Sequence, residues 1–334
     1  MEKLLTIVIP VYNGEKYLSE LLDSLIKAQS SVLEFLFIND GSTDTSVDII
    51  SKYAVLDDRI RLLTQENDGI VSARNKGLKN AMGKYVCFFD QDDFVEMEVY
   101  LDLVDRMEKE RAQMGICSTG RYIRENKKKY ETLSEDVYKG SEVKESLLFP
   151  LLFRGYDFEF YRKDNYFYGT IWKCIFSNDF LKKNNLQFKC FVSYEDDLIF
   201  IVSALALATT VVTSSKIGYF WRVNELSESH AGKYIENYNE KVMQLNAYLF
   251  SFLKHALEEE QMNLFVKVRE ADCLVEFLTN EWNGNKKLNH ISYHFPKQET
   301  YLVPKRGIRR RMVLKAMNAG GLKLAYIING LLLQ

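Results

Sequence analysis

The chain has 334 residues, of which 47% are hydrophobic, and a formal net charge of −2 at pH 7. This length allows one full catalytic domain with an ample core and a smaller appendage. The lack of a recognisable nucleic-acid-binding fold argues against a nucleic-acid partner. Five scattered cysteines, an odd number, predict reduced thiols in the cytoplasm rather than a disulfide framework. The chain starts directly with strand residues, so we expect no signal peptide.

Strands alternate with helices over the first hundred residues. Apolar runs predict strands at 5–12, 33–38, 59–64 and 84–89. Apolar residues at helical spacing predict an amphipathic helix after each of the first three strands. The first of these helices has its apolar face on Leu18, Leu21, Leu22 and Leu25. Strand–helix alternation predicts parallel βαβ units, and therefore an α/β fold with a mostly parallel sheet flanked by helices.

Polar residues follow three of the predicted strands. Asp40 follows the second strand, Asn67 the third, and Asp90 the fourth. In parallel sheets, ligands bind in the crevice outside the carboxyl ends of the strands. We therefore expect these side chains to converge on one binding site.

The fourth strand ends in three carboxylates, Asp90, Asp92 and Asp93. Packing like charges after a buried strand is costly unless a cation neutralises them. Carboxylate oxygens and substrate phosphates are the ligands that Mg²⁺ prefers. Asp90 and Asp92 are two residues apart, so both are expected to face one cleft. The alternative is an acidic surface turn, or a cap on a helix starting near Val95.

Four motifs in order resemble the nucleotide-sugar half of family-2 glycosyltransferases, inverting enzymes with the Rossmann-like GT-A fold. The motifs are Ile9–Asn13, Asn39–Asp44, Gly69–Asn75 with Gly77, and Asp90–Asp93. The resemblance implies a UDP-sugar donor. It assigns the uracil of the donor to Asp40, the base pocket to the turn from Pro10 to Tyr12, and the ribose to Asp90. It assigns a metal ion, Mn²⁺ or Mg²⁺, to Asp92. Asn67 and Arg74 are implied as further donor contacts, with Arg74 steadying the donor or the acidic cluster.

Elementary chemistry favours the same assignments. A carboxylate can accept the N3–H of uracil, and the diphosphate needs a cation for binding and departure. Neither Gly-x-Gly-x-x-Gly nor Gly-x-x-x-x-Gly-Lys-Ser/Thr follows the first strand, which disfavours a dinucleotide fold or a P-loop. A nucleotidyltransferase would carry a Gly-rich basic loop there, and Pro10–Gly14 offers none.

The middle of the chain carries a second acidic cluster, Glu195-Asp196-Asp197, after a Trp-x-Lys segment at Trp172. In the resemblance, Asp196 is the catalytic base that takes the proton of the acceptor hydroxyl during an in-line displacement. We expect Asp196 and Asp92 to face a shared pocket. The alternative is that the cluster only caps an apolar helix at 198–207.

Less specific features follow. Arg222 and Ser227 match a loop that closes over the diphosphate in bacterial members of the family, and His230 is a weaker candidate. The charged segment 124–144 is expected to be a mobile loop or an excursion from the domain. The aromatic segment 149–172 lines an acceptor groove or simply packs in the core.

The carboxyl end is basic. Residues 300–334 hold seven of the 44 Lys/Arg and no acidic residue, which leaves 37 basic against 46 acidic residues elsewhere. Basic residues beside an apolar helical face predict contact with an anionic membrane, and packing on the domain itself or on a partner subunit is the alternative. The predicted organisation is a catalytic domain at 1–225 (donor half 1–100, acceptor and base half 101–225), a helical region at 226–300 and a basic amphipathic tail at 301–334.

The sequence therefore predicts an inverting, metal-dependent hexosyltransferase that moves a sugar from a UDP-sugar to a glycan or lipid-linked acceptor. We expect it in the cytoplasm, peripherally at the inner face of a bacterial membrane, building a surface polysaccharide. Without a Gln-x-x-Arg-Trp motif, one sugar per encounter is expected. A non-catalytic nucleotide-sugar-binding or scaffold protein and a nucleotidyltransferase are the alternatives.

Overall fold

The computed structural model describes residues 3–123, 126–156, 158, 168–192, 195–222, 234–284, 301–304 and 307–332. The predictions for Ser227 and His230, and for much of the aromatic segment 149–172, lie outside these ranges.

The first half of the chain forms the parallel part of one sheet. Strands β2 and β3 lie on one side of β1 and β4 on the other, in the order β3-β2-β1-β4, all parallel. The helix α3 packs so close to β1 that a Cβ atom on Gly77 would lie 2.1 Å from Cγ1 of Val8, so only glycine fits. The elements are β1 Leu5–Val11, α1 Leu18–Ile26, β2 Leu33–Asp40, α2 Ser46–Leu56, β3 Ile60–Gln65, α3 Ile70–Asn80 and β4 Tyr85–Phe88.

The second half extends the same sheet. Strand β9 joins the halves, because it pairs antiparallel with both β4 and β6, and β10 is parallel to β6. The predicted α/β sheet flanked by helices is confirmed, with antiparallel pairs added around its parallel strands. The elements are β5 Phe94–Val95, α4 Met97–Glu110, β6 Met114–Ile123, β7 Asn126–Glu131, β8 Asp136–Lys139, α5 Ser141–Val143, a π-helical turn Lys144–Leu148, α6 Phe149–Leu152, a 3₁₀ turn Ile171–Lys173, β9 Cys174–Ser177, α7 Asn178–Lys183, α8 Asp196–Leu207 and β10 Thr210–Arg222.

The loop expected at 124–144 is wrong for the residues described from 126 onward, which include two strands. Strand β7 pairs with β6, and β8 pairs with β10. Between and within them, Leu133 and Tyr138 are buried. Charged residues do not distinguish a loop from an edge strand, because a strand with only one neighbour tolerates lysines that a central strand does not.

The described residues from 238 onward are mostly helical, as predicted for the carboxyl-terminal region, with α9 Tyr238–Leu253, α10 Glu259–Asn283 and α11 Ile308–Leu331. The backbone of Gly321 interrupts α11 with a φ of 71°. The basic tail packs on its own domain, because Val313, Leu314 and Ala325 are fully buried and Arg310 forms an ion pair with Asp272 of α10. In the described residues, no helix combines the length and apolarity that crossing a bilayer requires.

Candidate functional site

A cavity of about 740 Å³ opens at the carboxyl ends of the parallel strands. The structure brings six of the predicted site residues to this one cavity. They are Pro10, Tyr12, Asp40, Asn67, Asp90 and Asp92.

Asp40, the last residue of β2, organises the loop that precedes α3. Its Oδ1 accepts the Nε2–H of Gln65 at 2.7 Å and the backbone N–H of Asp68 at 3.0 Å. Its Oδ2 accepts the backbone N–H of Gly69 at 2.9 Å. Gly69 has a φ of 85°, which side chains other than glycine rarely adopt. The carboxylate therefore fixes the cavity wall that carries Asn67.

Gln91, for which the sequence predicted no role, fixes the opposite wall of the cavity. Its Oε1 accepts the backbone N–H of Tyr12 at 3.1 Å, and its Nε2 donates to the carbonyl of Tyr12 at 3.0 Å. Such a reciprocal pair of hydrogen bonds ties the loop after β4 to the end of β1. The Tyr12 side chain itself is 48% exposed at the cavity mouth.

Arg74 of α3 connects the two predicted acidic clusters. Its guanidinium is 4% exposed, and its Nη1 donates to Asp196 Oδ2 at 2.7 Å and to Asp197 Oδ1 at 2.6 Å. Its Nη2 donates to Asp90 Oδ1 at 3.3 Å. Asp196 itself is not among the described residues that line the cavity. Arg74 thus links Asp196 to Asp90 at the cavity wall, and the prediction that Asp196 and Asp92 face one pocket stays a prediction.

Asp93, the third carboxylate of the first cluster, points away from this connection. It is 2% exposed, and it accepts the hydroxyl of Tyr219 and the backbone N–H of Arg222, both at 2.7 Å. The Tyr219 hydroxyl also accepts the backbone N–H of Asp90 at 3.1 Å. Because Phe94 pairs with β10 before α4 begins, the cluster is not a helix cap. Asp93 also lines the cavity, but these hydrogen bonds hold its carboxylate within the loop.

Arg222 does not line this cavity in the described structure. Its Nε donates to the backbone carbonyl of Asp92, and its Nη2 to Glu20 at 2.6 Å. Its guanidinium also stacks on Tyr17 and Phe94. These contacts place Arg222 behind the Asp92 loop, so its predicted role as a phosphate contact stays a prediction.

The acidic clusters carry more negative charge than Arg74 balances. Burial raises the pKa of Asp90 to about 6, Arg74 opposes the shift, and the charges of Asp197 and Asp92 add to it. Burial also raises the pKa of Asp92, and that of Asp196. Such shifts mark groups for which further positive charge is favourable.

The residues present fit a divalent cation that shares its ligands with a phosphate. Asp90 and Asp92 both line the cavity, and the Asp92 carboxylate has no side-chain hydrogen bond within the described residues. In that part of the chain, no three acidic, histidine or cysteine side chains are grouped to hold a metal alone. One or two carboxylates completed by substrate phosphates are a common Mg²⁺ site.

Further cavity residues come from the aromatic segment 149–172, namely Tyr168, Thr170 and Trp172, and from β7, namely Glu131. Trp172 stacks on Tyr219 with ring centroids 4.4 Å apart. Glu131 forms an ion pair with the fully buried Lys173 and accepts the backbone N–H of Tyr168 at 3.0 Å. The Trp-x-Lys motif indicated that this region is functional. No local sequence pattern, however, predicts that Lys173 pairs with Glu131, 42 residues earlier.

Comparison with known proteins agrees with this geometry. The family model "Glycosyl transferase family 2" matches residues 6–181. The uncharacterized glycosyltransferase EpsJ of Bacillus subtilis (strain 168) is 29% identical over 228 residues, which cover 67% of this chain and 62% of EpsJ. The chain thus spans less than two thirds of that relative.

Two solved structures share the fold. S. aureus TarS 1-349, in complex with UDP-GlcNAc, is 22% identical with a TM-score of 0.63, covering 86% of this chain and 77% of that one. The mannosyltransferase PcManGT from Pyrobaculum calidifontis, in complex with GDP-Man and Mn²⁺, is 13% identical with a TM-score of 0.52, covering 85% and 74%.

We expect Arg74→Gln to lower the free energy of unfolding by about 3–5 kcal/mol at pH 7, because it leaves buried carboxylates without their cation. Adding Asp90→Asn should restore part of the loss, since it removes one of those carboxylates. Urea denaturation of both variants measures this, with the exposed Lys79→Gln of the same helix as the control. Equal stability of Arg74→Gln and wild type would contradict the role of Arg74.

Proposed function

The chain belongs to glycosyltransferase family 2, and on that premise we propose that it moves a sugar from a UDP-sugar to a glycan or lipid-linked acceptor with inversion. The glycosyltransferase predicted from the motifs is confirmed at the level of the family. The observation that supports the full proposal best is Arg74, which contacts Asp90 at the cavity and Asp196 on α8. A single charged group thereby connects the donor side with the candidate base.

The donor's base is assigned to the pocket between Tyr12 and Asn67, with Asp40 at its floor. An ionised carboxylate has about four lone-pair sites, and three hydrogen bonds already reach Asp40. The remaining lone-pair site of the carboxylate can accept a hydrogen bond from the single ring N–H of uracil. Asp90, next along the cavity, is assigned to the ribose. The UDP-GlcNAc bound by the structural neighbour TarS supports a UDP-sugar as the donor class.

Asp92 is assigned to a divalent cation, Mn²⁺ or Mg²⁺, with Asp90 beside it. When bound, such a cation neutralises the diphosphate and the charge that develops on the leaving UDP. The Mn²⁺ in the structurally similar mannosyltransferase PcManGT supports this assignment. The sequence around Asp92 supplies the carboxylate and a loop held in place by Tyr219 and Arg222.

Asp196 is assigned as the base. Arg74 holds its Oδ2, and within the described residues no side chain donates to Oδ1. Burial raises the pKa of this carboxyl, which makes it a better proton acceptor near neutral pH. As it removes the acceptor's hydroxyl proton, the acceptor oxygen bonds to the anomeric carbon, and the bond to the phosphate oxygen breaks with its electron pair leaving on UDP.

The acceptor side is proposed to lie at the cytoplasmic face of a membrane. Although α11 packs on α10, it exposes Ile308, Met312, Leu324 and Ile327 along its outer side. Lys315 and Lys323 are exposed on the same helix. A basic and apolar helix face favours an anionic bilayer surface, with about 1 kcal/mol for each basic residue near it.

Asp196→Asn should lower the transfer rate by at least a thousandfold, because the amide cannot take the acceptor's proton, while UDP affinity changes by less than about threefold. UDP release from a panel of UDP-sugars with mixed acceptors measures transfer, and calorimetry measures UDP binding. The exposed Asp179→Asn is the matched control. Substantial turnover by the Asp196 variant would remove it from the mechanism.

Asp92→Ala should weaken UDP binding in the presence of Mn²⁺ by at least tenfold and abolish the difference between Mn²⁺ and chelator, because the carboxylate that holds the cation is gone. Calorimetric titration of UDP with and without Mn²⁺ tests both effects. Asp48→Ala, exposed on α2, controls for lost charge. The metal assignment fails if the wild-type protein binds UDP with the same affinity in Mn²⁺ and in chelator.

The double variant Lys315→Glu with Lys323→Glu should bind anionic vesicles at least tenfold more weakly than wild type, since two favourable charges become unfavourable. Vesicle sedimentation gives the partition. Lys182→Glu with Lys183→Glu reverses two exposed charges on α7 and should leave it unchanged. Equal partition of all three proteins would rule out this face of α11.

A further inference from the structure

A second cavity, of about 510 Å³, lies between α6, α8, α10 and the first turn of α11. In the described part of the chain it shares no lining residue with the donor cavity. Much of its wall is apolar and comes from several helices. The wall includes Leu152, Leu198, Val202, Leu249, Phe265 and Val275. Cavities of roughly 300–1,000 Å³ with apolar walls and a few polar groups are typical ligand sites.

Arg269 of α10 brings an unsatisfied donor to this cavity. The residue is 9% exposed, and its Nε donates to Asn246 Oδ1 at 3.1 Å. Its Nη2 is buried without a hydrogen-bond partner, 3.9 Å from Glu195 Oε2. Leaving a buried charged donor unpaired is costly, so an acceptor placed in the cavity would be stabilised.

The first turn of α11 adds a second positive feature. Gly307, Ile308, Arg309 and Arg310 line the cavity, and the turn contains no acidic residue. The first backbone N–H groups of a helix lack intrahelical acceptors, and the helix dipole makes this end positive. Here arginines occupy positions where acidic residues are favoured. An anion at this turn would offset that unfavourable arrangement.

Among the described residues, the cavity is lined by four arginines, Arg154, Arg269, Arg309 and Arg310, and by three acidic residues, Glu195, Asp272 and Glu276. Asp272 forms an ion pair with Arg310, and Glu276 accepts the hydroxyl of Tyr238 at 3.0 Å. Burial, helped by the charge of Glu276, raises the pKa of Glu195 to about 7. Glu195 and Glu276 both favour the charged form of Arg269, and any protonation of Glu195 near pH 7 adds to the excess of positive groups in the described lining.

We infer that this cavity binds an amphiphile with a phosphate head and one apolar chain, the head at Arg269 and the first turn of α11, the chain along the wall of α8 and α10. The site is separate from the donor chemistry and needs neither UDP nor sugar transfer. It lies against Glu195, the residue directly before the proposed base.

The test uses the full chain and dodecyl phosphate below its micellar concentration, followed by calorimetry. We expect saturable binding of one molecule per chain. Inorganic phosphate, which has the head alone, and 1-dodecanol, which has the chain alone, should each bind at least tenfold more weakly. No saturable binding of dodecyl phosphate, or equal binding of inorganic phosphate, overturns the inference.

Arg269→Gln should weaken dodecyl phosphate binding at least tenfold and leave UDP binding unchanged, because Arg269 does not line the donor cavity. Lys267→Gln removes a charge from the exposed side of the same helix and should bind as wild type. Wild-type affinity in a folded Arg269→Gln overturns the assignment. UDP binding, measured separately, distinguishes this failure from failure of the proposed transfer.

A photoreactive dodecyl phosphate on the wild-type protein gives a result that does not depend on a variant folding. With the reactive group at the chain end, labelled peptides should come from α8 and α10. Labels confined to the exposed side of α11 or to the donor cavity overturn the inference.

Discussion

The buried guanidinium of Arg74 is the interaction on which the site depends. It lies between carboxylates that are 16 and 122 positions away in the chain, on the loop after β4 and at the start of α8. Removing these charges from water is costly, and only their mutual pairing offsets that cost. The loop after β4 and the start of α8, which carry the proposed donor and base residues, are consequently held in one arrangement by a group that belongs to neither acidic cluster.

Around this group, each strand end is fixed by hydrogen bonds to a different loop. Asp40 holds the loop after β3, Gln91 holds the end of β1, and Tyr219 holds the acidic loop after β4. Most of these bonds involve backbone atoms, which position a loop more firmly than contacts between flexible side chains. These bonds shape the described walls of the cavity without a ligand, which reduces the ordering that binding must impose on those walls.

The sequence was sufficient for features that depend on local pattern. Strand–helix alternation predicts the sheet, and strand ends predict where Asp40, Asp90 and Asp92 gather. Pairings set by tertiary structure were not predictable, such as Lys173 with Glu131 or Tyr219 with Asp93. The segment 124–144 was misjudged for a related reason, since edge strands and loops share a polar composition.

The start of α8 is braced from both sides, because Asp196 contacts Arg74 while the neighbouring Glu195 faces Arg269 of α10. Ile199 and Val202 of α8 are buried, and both also line the wall shared with the carboxyl-terminal helices. The first 225 residues are therefore a poor unit for excision or for swapping between relatives. A chimera that replaces the helices beyond them must supply a matching apolar surface and a cation at the position of Arg269. Otherwise α8 loses the contacts that hold its first turn.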